Sequence, residues 1–175
     1  QMNFMHQTEH FRIDQSNDFG TALIMPYLDE KFNFFYLMPH ESSNLVRMRR
    51  ELTGETLVNV LKSAKDTYLN INVPKLKIDA ALDGVRVLHE MGVRNLFNIP
   101  DLSKMSSTPL RIEKILHQAV IETDELGTEA AAVTATMHWL SGVWMPVDPP
   151  EIFIDHPFLF GIIRDDDILF LGQFA

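Results

Sequence analysis

The stretch Glu125-Leu126-Gly127-Thr128-Glu129-Ala130-Ala131-Ala132-Val133-Thr134-Ala135-Thr136 constrains this chain most. Its side chains are too small and uniform for a core, and it lacks the repeated glycines of a flexible linker. Alanine loses no rotamer freedom when ordered and threonine loses little. It follows a strand-like segment and leads into an uncharged apolar tail, Met137 to Met145, that includes Trp139 and Trp144. A row of small residues set in this way reads as a segment built to change state.

The rest of the chain is globular in composition. A length of 175 residues with 46% hydrophobic content suits one domain that buries roughly 70% of its unfolded surface. The formal charge is -9, and no basic cluster is denser than Arg47-Met48-Arg49-Arg50, so neither a nucleic-acid partner nor an anionic membrane is expected. There is no cysteine, which removes disulfides, thiolate metal sites and a cysteine nucleophile. No apolar run approaches the ~20 residues of a membrane helix. The start, Gln1-Met2-Asn3-Phe4, resembles neither a signal peptide nor an initiation site, and suggests a fragment or a processed product.

In chain order, strands are expected over Phe4–Ile13 and Ala22–Met25, with a strand buried on both faces over Phe32–Met38. Pro26 to Lys31 supplies a hairpin connector. Two short helices fit between Ser42 and Ala64, with Thr53 preceding the second. Leu69–Val73 and Lys75–Ile78 alternate with period two around Pro74, predicting two strands that meet at a bend. Asp79 to Asp83 offers caps for a helix carrying Val85, Leu88 and Met91 on one face and stopping at Gly92. Asn98 to Pro109 reads as loop. Leu110 to Thr123 reads as one long strand with His117 hydrogen-bonded inside it. Strands over Ile152–Ile154, Phe158–Ile163 and Ile168–Leu171 follow, the last two joined by a hairpin turn at Arg164-Asp165-Asp166-Asp167. That run lacks the spaced carboxylates and bidentate glutamate of a calcium loop.

Catalytic chemistry is sparse. The seven histidines are scattered, no zinc site is expected, and there is no Gly-x-Ser-x-Gly. An enzyme is not expected.

Glu125 to Thr136 is similar to the hinge of the serpin family: an acidic residue, any residue, Gly, Thr or Ser, Glu, then small residues. Ile152 to Phe160, with Asp155-His156-Pro157-Phe158 at its centre, resembles that family's C-terminal signature. Met5-His6-Gln7, Leu23 to Tyr27, Val73 to Leu76, Gly92 to Phe97, Asp101-Leu102-Ser103 and His117 to Val120 match in the same order. The resemblance covers essentially the whole chain, but only the C-terminal half of the serpin fold. Leu126, where a charged residue is usual, and Val133, where a smaller one is usual, depart from the pattern.

The resemblance implies an α+β, multi-sheet fold with mostly antiparallel sheets, a few short helices and an exposed reactive loop over about 126–146. It implies a serine protease inhibitor whose loop is cleaved, held as an acyl-enzyme and inserted into a sheet. Hinge roles fall on Glu125, Gly127, Thr128, Glu129, Ala130, Ala131, Ala132, Val133 and Thr134. Structural roles fall on His117, Asp155, His156, Pro157 and Phe158. Counting the usual loop span from Glu125 puts the cut between Ser141 and Gly142, with Trp139, Leu140 and Met145 as alternatives. No Arg or Lys occurs from Glu125 to Glu151, which favours a chymotrypsin- or elastase-like partner. No metal or cofactor is implied, and the absent N-terminal half is a further partner. An extracellular setting is expected, with the cytoplasm as the alternative. The other reading is a non-inhibitory serpin, or a fragment that binds without trapping a protease.

Overall fold

The eleven-residue strand β1 (Phe4–Asp14) organises the larger part of the chain because it pairs along both edges. A computed structural model describes residues 3–124 and 149–175. Arg12 to Asp14 pair with β2 (Thr21–Pro26), while Phe4 to Ile13 pair with β4 (Lys65–Pro74). β2 continues into β3 (Phe32–Met38) through the expected hairpin, which Phe32 closes by donating its N–H to the Asp29 carbonyl at 2.9 Å. β8 (Phe158–Arg164) lies beside β3 and β9 (Asp167–Phe174) beside β8, both antiparallel. β7 (Glu151–Phe153) lies parallel to β4. The sheet order is β7-β4-β1-β2-β3-β8-β9.

Strand alternation puts Phe35, Leu37, Leu159 and Ile163 on one face. There they pack with Leu45 and Met48 of α1 (Leu45–Glu51) and Leu57, Val60 and Leu61 of α2 (Gly54–Ser63). A 3-10 turn over Ser42–Asn44 precedes α1. The Thr53 hydroxyl caps α2 by accepting from the Thr56 N–H at 3.1 Å. On the opposite face, Tyr36 meets Phe34 and Phe158 at ring separations of 4.9 and 5.3 Å, and Phe158 stacks on Phe174 at 5.4 Å. β3 is therefore buried on both faces from Phe34 to Met38, as its continuous apolar run predicts. Gly161 is needed beneath Phe35, since an added Cβ would sit 2.8 Å from that ring and would collide with the Phe170 carbonyl oxygen.

Asp14 closes the β1–β2 loop. Its carboxylate accepts from the Ser16 N–H (2.8 Å) and hydroxyl (2.7 Å), from the Asn17 amide (3.2 Å) and from the Ser63 hydroxyl at the end of α2 (2.6 Å). Burial alone raises the pKa, but these donors outweigh it and lower the carboxyl from 3.8 to about 2.

A second compact unit spans Leu76–Thr123. Its two strands, β5 (Lys77–Asp83) and β6 (Leu116–Glu122), form an antiparallel ribbon, with Lys77 opposite Glu122 and Asp83 opposite Leu116. α3 (Gly84–Glu90) and the single turn α4 (Asn95–Asn98) complete it.

Three expectations change here. Asp79 to Asp83 is strand, and only Asp83 caps α3, accepting from the Val85 N–H at 3.1 Å. Met91 lies beyond α3 and is exposed, although Gly92 does take the left-handed conformation expected after a helix, at φ 91°. The long strand begins at Leu116 and not at Leu110, because its partner β5 offers only seven residues. Ile115 instead turns its carbonyl to the Gly84 N–H at 2.9 Å.

Candidate functional site

The expected loop, about 126–146, lies within residues 125–148, all of them outside the described residues. The hinge residues Glu125, Gly127, Thr128, Glu129, Ala130, Ala131, Ala132, Val133 and Thr134 lie there, as do Ser141, Gly142, Trp139, Leu140 and Met145. Two strands lead the chain in and out. Each sits in a different unit.

β6 leads in. Among the described residues it pairs along one edge only, with β5. Leu116, Gln118, Val120 and Glu122 share one face, and His117, Ala119 and Ile121 the other. The first face is tied by Lys77 to Glu122 at 3.1 Å and by the Gln118 amide to Asp79 at 2.7 Å. It also leaves Leu116 74% and Val120 58% exposed. His117 is exposed opposite Leu82, so the expected core histidine is a surface residue of the ribbon. A pairing strand surrounds a side chain only when its sheet is covered, and this ribbon has two strands.

β7 leads out. Pro150 accepts from the Asn70 N–H and Asn72 from the Ile154 N–H, both at 2.9 Å, and Ile154 is fully buried. Past β7, His156 stands between two acceptors: Nδ1 is 2.9 Å from an Asp155 carboxylate oxygen and Nε2 is 2.7 Å from the Pro39 carbonyl. Phe158 plugs the aromatic face of the sheet. Asp155, His156, Pro157 and Phe158 thus occupy the join between β7 and the buried strand β8.

Sequence reasoning missed the polar face beside this exit. His6, Thr8 and His10 of β1 face Asn72, Asn70 and Tyr68 of β4. His6 and His10 stand four apart, but on a strand, so roughly 13 Å separates them; each has its own partner, Asn72 at 3.1 Å and Asp66 at 2.7 Å. Their alternation with half-buried residues is the signal that marks this face as one surface. Elsewhere the Ser103 hydroxyl and N–H lower the Asp101 pKa. Among the described residues no cluster of three metal-ligating side chains occurs, and no helix is long and apolar enough to cross a membrane.

The family model described as Serpin (serine protease inhibitor) matches residues 1–175. The chain is 32% identical over 163 residues to Serpin B6 of Pongo abelii, covering 90% of this chain and 43% of that protein. The solved structure of Tengpin, a thermophilic serpin in its native state, is similar with a TM-score of 0.75 and 28% identity, over 98% of this chain and 45% of that one. Uncleaved ovalbumin shares the fold with a TM-score of 0.80 at 24% identity, over 98% and 43%. The chain therefore spans less than half the length of these proteins. With every residue inside the family match and the fold shared with a solved serpin at a TM-score of 0.75, the chain belongs to the serpin family, a family of protease inhibitors and not of enzymes.

Proposed function

We propose that this chain is the loop-bearing portion of an inhibitor of chymotrypsin- or elastase-like serine proteases. The observation that carries the reading is the hinge pattern from Glu125 to Thr134, which in sequence follows β6, a strand paired along one edge among the described residues, and precedes the exit strand β7. In this reading the protease serine Oγ attacks the Ser141 carbonyl carbon. The bond to the Gly142 nitrogen breaks, Gly142 leaves as a protonated amine, and an ester remains. Insertion of the freed loop as a strand then holds the ester away from water.

Glu129 sets the phase of that strand. With Glu129 facing water, Thr128, Ala130, Ala132, Thr134 and Thr136 face inward, all small enough to enter a sheet without overpacking. The edge of β6 that is unpaired among the described residues and the exposed Leu82, Leu116 and Val120 of the ribbon suit cover by the remaining half of a serpin fold, the second partner in this reading. The setting is extracellular, and cell fractionation distinguishes it from the cytoplasm.

The test is Thr128→Arg in the full-length protein. It buries an unpaired charge on insertion and converts an inhibitor into a substrate. Stable complexes at the wild-type ratio would sink the hinge assignment.

A further inference from the structure

β7 is a weak anchor by its backbone alone: it has three residues and, among the described residues, one partner strand, β4. Its first residue, Glu151, follows the loop closely and projects onto the solvent face that carries His6 and Asn72. There three side chains form a directional relay. His6 Nδ1 lies 3.1 Å from Asn72 Oδ1, and Asn72 Nδ2 donates to Glu151 Oε1 at 3.0 Å. A carboxylate only accepts, so the amide must present its NH2 group to Glu151 and its oxygen to the histidine. Asn72 also accepts the Ile154 N–H on its backbone carbonyl. One residue thereby grips both ends of β7, through its side chain at Glu151 and its backbone at Ile154.

We infer that Asn72 is a positioning residue for the loop: oriented by His6, it holds Glu151 and so sets the residue at which the loop leaves the sheet. The proposal rests on the protease reading only for its consequence. A loop with a fixed exit has less freedom to lose when a protease docks, so cleavage is faster; a frayed exit slows acylation and leaves the hinge, at the other end, untouched.

The test exploits the polarity of the relay, using amide hydrogen exchange of residues 152–154 in this chain. Asn72→Asp removes the donor and sets two carboxylates face to face. Exchange there should quicken roughly ten- to a hundredfold, the loss of one hydrogen bond to a charged group. Adding Glu151→Gln reverses the polarity, because the new amide donates to the new carboxylate, and protection should return to the wild-type rate. Glu151→Ala, at an exposed position, should match Asn72→Asp without the repulsion. Unchanged exchange in Asn72→Asp, or a reversed pair no slower than the single variant, would overturn the inference. Chymotrypsin cleavage of the loop should slow and recover in the same order. If neither chymotrypsin nor elastase cuts the wild-type loop, the protease reading fails, and the exchange rates still decide whether Asn72 holds the exit.

Discussion

The sheet around Phe35 and Tyr36 and the ribbon of β5 and β6 treat apolar residues in opposite ways. The sheet buries Leu23, Phe35, Leu37 and Phe158 completely or nearly so, with helices over one face. Among the described residues of 76–123, only Leu76 is buried, while Leu82, Met105, Leu116 and Val120 stand exposed. A two-stranded ribbon is marginal in water without a covering layer. The first region therefore holds the stability of this chain. The second carries apolar surface that contributes little until something covers it, and it holds the strand that precedes the small-residue stretch in sequence.

Substitutions sharpen that contrast, beginning with the largest expected effect. Phe158→Ala removes a fully buried ring between Tyr36 and Phe174 and should cost about 3–5 kcal/mol in urea unfolding. Asp14→Ala strands the donors of Ser16, Asn17 and Ser63 and should cost ~1–3 kcal/mol.

The same site sets an acid limit. Asp14 is held at about 2 in the folded chain against 3.8 ordinarily, so its contribution is complete above pH 3.8 and is lost as the pH falls through about 2. Asp14→Asn should flatten that limb of the stability–pH curve.

In the ribbon unit effects should be smaller. Gly92→Ala forces a side chain to φ 91° and should cost about 1 kcal/mol, read from exchange in α3. Leu116→Ala should change stability by less than about 0.5 kcal/mol. A loss at Leu116 as large as at Phe158 would break the contrast between the two regions.

Legibility followed the same division. In the sheet the pattern had one reading: Phe32–Met38 is a strand with the bounds its apolar run marks, because residues buried on both faces leave no alternation to misplace. In the ribbon, Leu110, Ile112 and Ile115 suggested strand, yet the ladder stops at Leu116, where β5 ends at Asp83. Its length depends on a partner more than 30 residues away, which a local pattern does not carry. Asp79 looked like a helix cap for the same reason. His117 has the apolar neighbours of a core residue in sequence, but the ribbon has no core to hold it. Near the loop exit, Ile152–Ile154 was legible as a strand, but its parallel pairing with β4 was not. Nor was the relay, since Asn72 and Glu151 lie 79 positions apart. Asp14 did carry a local signal, an Asp two residues before Ser16 and three before Asn17.

The central claim is that the small-residue stretch after β6 belongs to a protease-trapping loop. The most direct measurement is incubation of the full-length protein with chymotrypsin and with elastase, followed by denaturing electrophoresis and sequencing of any released peptide. The account predicts an adduct with one of them that survives SDS, and a released peptide beginning at Gly142. A loop cut without any adduct, or left intact by both enzymes, would contradict it.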